Sequence, residues 1–156
     1  MVLAFYSAAA QVSNRAYDLM LRALYKKTVP LISVADLRKS PGTVLLDTRA
    51  RREFEVSHLP GAQWTGFEEF EVERLAKVPK NAAIVVYCSV GYRSERVGEK
   101  LLAAGFTNVR NLHGSIFEWV NQGLPLVDAQ GKPTTRIHAY NRAWGVWLQK
   151  GEKVYE

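Results

Sequence analysis

Cysteine is nearly absent from this chain. Cys88 is the one thiol in 156 residues, so no internal disulfide can form, and a reducing, cytoplasmic setting is expected for a working thiol. No apolar run approaches the roughly 20 residues of a membrane span. Residues 1–10 are apolar and end in alanines, but the run is very short and no basic residue precedes it, which argues against a secretion signal. His113 and His138 share no ligand spacing with Cys88, so no metal site is expected. The net charge of +6 is scattered rather than gathered in a block. No recognition motif accompanies it, so nucleic-acid binding is not expected, whereas a moderately basic surface suits small anionic substrates by steering. No repeat or low-complexity segment is apparent. With 47% hydrophobic and 11% aromatic residues, the chain is long enough for one good core and short for two.

The richest stretch is 82–94. Ile84, Val85, Val86 and Tyr87 form a short, continuous apolar run of the kind found in strands buried on both faces of a parallel sheet. From Ser94 the period changes: Val97, Leu101 and Leu102 share a helical face, and Gly105 closes the helix. Cys88 therefore stands at the carboxyl end of a strand, just ahead of a helix start. Free N–H groups there, with Arg93 nearby, favour thiolate over thiol. Gly91 lets the intervening loop curl its amides inward as an anion-binding nest. A cation at a helix N-terminus is disfavoured by the helix dipole, so Arg93 is expected to serve anion binding more than folding.

The rest of the chain alternates short strands and helices, the pattern of a parallel sheet covered on both faces. Residues 11–27 carry Val12, Ala16, Leu19, Met20, Ala23 and Leu24 at helical spacing, predicting an amphipathic helix that docks on the domain. A membrane-surface or partner-binding role is its alternative. Leu31 and Ile32 suggest a short strand, Ser33 and Asp36 a capping-box-like helix start, and 43–46 the next strand. Asp47 and Arg49 follow at that strand's carboxyl end, where Arg49 and Glu53 are within ion-pair range at i, i+4. Residues 67–78 read as a helix with a solvated acidic half, ended by Pro79. A strand over 109–112 and a helix over 116–122 follow. The aromatic tail places Trp144, Trp147 and Leu148 on one helical face, packed on the domain or the N-terminal helix, with a dimer contact as the alternative. His58 reads as a hydrogen-bonded loop histidine rather than a base for Cys88.

Two motifs carry a family resemblance. Cys88-Ser89-Val90-Gly91-Tyr92-Arg93-Ser94, with the later Leu101 through Val109 and Gly114 through Trp119, resembles the active-site half of a single-domain rhodanese. Leu45-Leu46-Asp47-Thr48-Arg49, then Glu53-Phe54 and His58-Leu59-Pro60-Gly61-Ala62, is similar to that family's other signature. Ser57 and Ser115 stand where glycine is common in the family; both bear on local backbone geometry, away from the cysteine loop. The resemblance implies an α/β, three-layer domain with a five-stranded parallel sheet and helices on both faces. It divides the chain into an N-terminal helical extension (1–28), a rhodanese-like domain (29–127) and a C-terminal extension (128–156).

The resemblance also implies a sulfurtransferase. Cys88 would be the catalytic nucleophile, carrying sulfane sulfur as a persulfide. Ser89, Val90, Gly91, Tyr92 and Arg93 would bind the substrate, with Asp47, Arg49, Glu53 and Ser94 as structural support and no cofactor. The partners would be a small anionic donor such as thiosulfate and a thiol or cyanide acceptor, or a protein acceptor if the domain is a relay or docking module. Four residues separate Cys88 from Arg93. The related dual-specificity phosphatase loop has one more, which places phosphatase and arsenate reductase lower.

Overall fold

The computed structural model describes residues 12–156. The readings of residues 1–10 and of a helix beginning at Gln11 lie outside the described residues. The centre is a parallel sheet of β1 (Leu31–Ile32), β2 (Val44–Asp47), β3 (Gln63–Trp64), β4 (Ile84–Tyr87) and β5 (Val109–Leu112), in the order β1-β5-β4-β2-β3. This is the five-stranded sheet the resemblance implied; β3 sets an exposed Gln63 beside a half-buried Trp64 and so shows no apolar run in the sequence. All of β4 is buried. Val85 and Tyr87 join one apolar cluster with Leu112, Ile116 and Phe117, while Ile84 and Val86 join another with Val97, Leu101 and Phe106. Because side chains alternate along a strand, these clusters lie on opposite faces, giving three layers.

Helices α2 (Val34–Arg38), α3 (Arg51–Val56), α4 (Tyr92–Ala103) and α5 (Ser115–Asn121) connect the strands. Ser33 caps α2 by accepting the Asp36 amide at 3.0 Å. Chain order runs from β2 to β3 toward one edge and from β4 to β5 toward the other. The β2–β4 boundary is therefore the switch point of the sheet, where open α/β folds gather ligands beyond the strand ends. Asp47 is in register with Tyr87 there, and Cys88 comes next.

Three expectations about local structure are corrected. The N-terminal helix α1 (Arg15–Leu24) buries Tyr17, Asp18 and Leu21, whereas Leu19 is 59% exposed and Ala16 and Ala23 face solvent. Alanines define an apolar face poorly, and tyrosine outweighs them by area. Asp18 is tolerated inside because it pairs with His113 and Arg22. Residues 67–78 form turns with a single 3₁₀ turn, Val72–Leu75; Phe67, Phe70, Val72, Leu75 and Val78 instead dock on the second cluster, and tertiary contact overrides helix propensity. In the tail, α6 (Arg142–Gly145) is one turn long, too short to align Trp144, Trp147 and Leu148 on a helical face. Leu148 enters the first cluster with Ile137 and Ala139, and Trp147 stacks on Tyr17 with centroids 5.5 Å apart.

The remaining tail elements are a hairpin of β6 (Leu126–Val127) and β7 (Pro133–Thr134), and a parallel pair of β8 (Arg136–His138) and β9 (Glu152–Val154). The two extensions thus meet each other as well as the domain. Together they reach the edge of the sheet where Cys88 lies.

Candidate active site

The turn from β4 into α4 is held from behind by its carbonyl oxygens. The Cys88 and Ser89 carbonyls accept the Ile116 and Phe117 amides of α5, each at 3.2 Å. The Val90 carbonyl accepts the Tyr25 hydroxyl, and the Gly91 carbonyl accepts Asn111 Nδ2 at 3.0 Å. With the carbonyls tied back, amides are left for the concave side. The Gly91 N–H donates to Cys88 Sγ at 3.1 Å, and the first-turn amides of α4 have no carbonyl within the helix to take them. Gly91 has φ +115, and a Cβ there would sit 2.3 Å from the Tyr25 hydroxyl. Any side chain would push this brace off the loop.

Ser94 Oγ donates to Asn111 Oδ1 at 2.6 Å and lies 3.6 Å from Cys88 Sγ. The Cys88 amide donates to Ser115 Oγ at 3.2 Å. Ser115 is therefore not remote from the cysteine loop, as its place in the sequence suggested. It holds φ +52, a left-handed conformation that favours glycine, and its hydroxyl occupies a loop donor. Ser57 is buried, and its carbonyl accepts an N–H of Arg49 at 2.7 Å.

The charged residues pair differently from the i, i+4 expectation. Arg49 turns back to Asp47, 2.7 Å away, with both side chains fully buried. Glu53 is thereby free for Arg93, which grips both carboxylate oxygens at 2.8 and 3.0 Å. Ser89 Oγ donates to Glu53 at 3.2 Å and accepts from Arg93 at 3.1 Å, and the Ala50 amide donates to Glu53 at 2.9 Å. Burial pushes the Glu53 carboxyl up, but the hydrogen bonds and charge of Arg93, the charge of Arg49 and the Ala50 amide outweigh it and hold it at about 2. Burial opposes the charge on Arg93 too, and Glu53 and Cys88 more than compensate. Arg93, expected to serve anion binding more than folding, has a folding role as well: without it a buried carboxylate stands unpaired. Three of its five N–H groups are in use.

A cavity of about 270 Å³ opens over the loop, lined by Leu24, Cys88, Ser89, Val90, Tyr92, Arg93, Tyr140 and Trp144. Cys88 is only 1% exposed, so this cavity is its route to solvent. Of the residues expected at the site, Cys88, Ser89, Val90, Tyr92 and Arg93 line the cavity, Gly91 reaches the Cys88 sulfur through its amide, and Glu53 touches Ser89 and Arg93. Asp47 and Arg49 lie beneath, in the segment that ends β2. Leu24, Tyr25, Asn111, Tyr140 and Trp144 were not anticipated. Tyr140 N–H donates to His138 Nδ1 at 3.0 Å, and the Tyr140 ring lies 5.1 Å from the Arg93 guanidinium carbon. Burial, and the Arg49, Arg52 and Arg93 charges against that of Glu53, lower the pKa of His138. His58 stacks on Phe54 at 3.8 Å and its Nδ1 lies 3.0 Å from the Phe54 carbonyl oxygen, away from the cavity lining. Among the described residues no group of three or more potential ligands could hold a metal ion.

The family model for the rhodanese-like domain matches residues 31–122. The chain belongs to the rhodanese-like family. It is 30% identical over 95 residues to a sulfurtransferase of Allochromatium vinosum, covering 61% of this chain and 88% of the relative. It is 35% identical over 99 residues to the tRNA uridine(34) hydroxylase of Prochlorococcus marinus, covering 56% of this chain but only 32% of that protein. Among solved structures, a human single-domain sulfurtransferase has a TM-score of 0.54 at 26% identity, covering 60% of this chain and 96% of that one. The rhodanese match includes the cysteine loop, Glu53 and Asn111, while Leu24, Tyr25, Tyr140 and Trp144 fall outside it. No helix among the described residues is long and apolar enough to cross a membrane.

Proposed function

We propose that this rhodanese-like sulfurtransferase moves sulfane sulfur from an anionic donor, of which thiosulfate is the simplest, to a nucleophilic acceptor through a persulfide on Cys88. The observation that carries this reading is the Cys88 thiol at the base of a cavity, with a loop amide on its sulfur and the α4 N-terminus beside it. Cys88 thiolate attacks the outer sulfur of thiosulfate, a new S–S bond forms, and the donor's own S–S bond breaks as sulfite leaves with the electron pair. Cyanide or a thiolate then takes the outer sulfur and returns the Cys88 thiolate. Loop amides oriented by Tyr25, Asn111 and α5 stabilise the anions that arrive and leave. No metal or organic cofactor enters either step.

A protein-linked relay is the second reading, supported by the likeness to one part of larger proteins such as the tRNA uridine(34) hydroxylase. In that reading the same persulfide passes to a protein acceptor. Steady-state transfer to cyanide separates the two. The small-molecule reading predicts parallel double-reciprocal lines and loss of turnover in Cys88→Ser. Turnover retained by Cys88→Ser would exclude both readings, and Cys88 loading without turnover to small acceptors would leave the relay.

A further inference from the structure

Val90 and Tyr92 supply part of the cavity wall from inside the family match, and the rest of its apolar wall comes from outside it. Leu24 closes it from the end of α1, and Tyr140 and Trp144 from the C-terminal extension. Its volume of about 270 Å³ approaches the lower end, roughly 300 Å³, of sites that take organic ligands. A tailless anion would leave most of that space, and all of its apolar wall, to water. Tyr140 is held over the opening at some conformational cost. It sits in the left-handed region at φ +67, fixed by the His138 hydrogen bond and by the Arg93 guanidinium against its ring. The charge balance points the same way. Among the described residues Arg93 is the one charged residue in the lining, and both oxygens of Glu53 neutralise it. A dianion would meet backbone amides there but no uncompensated cation.

We infer that the pocket selects an organic sulfane-sulfur donor, a persulfide or thiosulfonate whose apolar body lies between Leu24, Tyr140 and Trp144, over thiosulfate itself. This rests on the reading of Cys88 as the sulfur carrier. With a thiosulfonate, R–SO2–S⁻, Cys88 thiolate bonds to the terminal sulfur. The bond from that sulfur to the sulfonyl sulfur breaks, and its electron pair leaves with the sulfinate, R–SO2⁻. Two negative charges enter and two remain, and no outside oxidant or reductant is needed. The body R makes no bond, so its contribution is burial of apolar surface against the two extensions.

Benzenethiosulfonate and methanethiosulfonate test this, since they carry the same charge, deliver the same sulfur and differ in the body. Transfer to cyanide by the full chain is expected to show kcat/KM at least about tenfold higher for the phenyl donor, as even one methylene in an apolar pocket is worth about that much. In Trp144→Ala and, separately, Tyr140→Ala, the phenyl-to-methyl ratio should fall several-fold below that of the unmodified protein. Comparing this ratio between proteins removes the difference in intrinsic reactivity of the two donors. Tyr140 is 42% exposed, so its truncation leaves the core intact should Trp144→Ala fail to fold. Equal kcat/KM for the two donors in the unmodified protein, with Cys88 loaded by both, would overturn the inference and leave the sulfur-carrier reading standing. A phenyl preference untouched by both substitutions would overturn it as well. If neither donor, nor thiosulfate, loads Cys88, both readings fall together.

Discussion

The floor and the mouth of the cavity are built on different physical terms. The floor is a short loop whose four carbonyl oxygens, from Cys88 to Gly91, are each engaged by a donor from α5, Tyr25 or Asn111. Its conformation is over-determined by polar contacts in a buried setting, where each unmet partner is costly. The mouth is made of side chains from two extensions that touch through Tyr17 and Trp147. Its walls are aromatic and aliphatic, and their contribution is area rather than hydrogen-bond geometry. A rigid polar floor suits chemistry that any sulfur donor shares, and an apolar mouth suits discrimination between donors.

The most severe way to break this division is to remove the cation that joins the two regions. Arg93→Ala strands Glu53, which is 1% exposed as a side chain, and should cost about 3 kcal/mol or more in urea unfolding at neutral pH. Adding Glu53→Gln should return a large part of the loss. Acid weakens the same contact. Glu53 titrates near 2 in the folded chain against roughly 4.3 unfolded. Its contribution, about 3 kcal/mol, is therefore fully present above about pH 4.3 and is lost as the pH falls through 2. His138, with its folded value lowered, adds a loss of the same sign that begins below about pH 6.5. Unfolding free energy measured from pH 7 downward should fall, and Glu53→Gln should flatten the most acidic part of the curve.

Smaller changes sharpen the comparison. Tyr25→Phe keeps the ring but removes the hydroxyl that donates to Val90 and accepts the Gly114 amide. It should cost about 1 to 3 kcal/mol of stability by leaving buried groups unpaired. It should also slow transfer with phenyl and methyl donors alike, because it loosens the floor and spares the mouth. At the weak end, Leu19→Ser on the solvent face of α1 should change stability by no more than about 0.5 kcal/mol, as thermal unfolding would show. A loss of several kcal/mol there would mean the face named by the sequence pattern is the packed one after all.

Much of the floor was legible in the sequence, because a buried parallel strand, a lone cysteine, a glycine and an arginine fall within 13 consecutive residues. Local order alone placed Cys88 between strand and helix. Pairing was less legible: Arg49 and Glu53 have the right spacing for each other, yet Asp47 captures one and Arg93 the other. The choice depends on β2 and β4 lying side by side, which no local pattern encodes. The mouth was least legible, since Leu24 and Trp144 are 120 positions apart in the chain and meet only when both extensions fold over the sheet edge. Tyr17 and Leu21 were missed because the helical pattern also fits a neighbouring face rich in alanine. The Ser115 hydroxyl under Cys88 gave no signal beyond its standing where glycine is common.

The proposal for the polar floor is that it carries sulfur on Cys88. Intact-mass measurement after incubation with thiosulfate, with unbound reagent removed, tests it most directly. The expected result is a gain of one sulfur atom, located on Cys88 by peptide mapping, reversed by cyanide and absent from Cys88→Ser. An unchanged mass, or the same gain in Cys88→Ser, would contradict it.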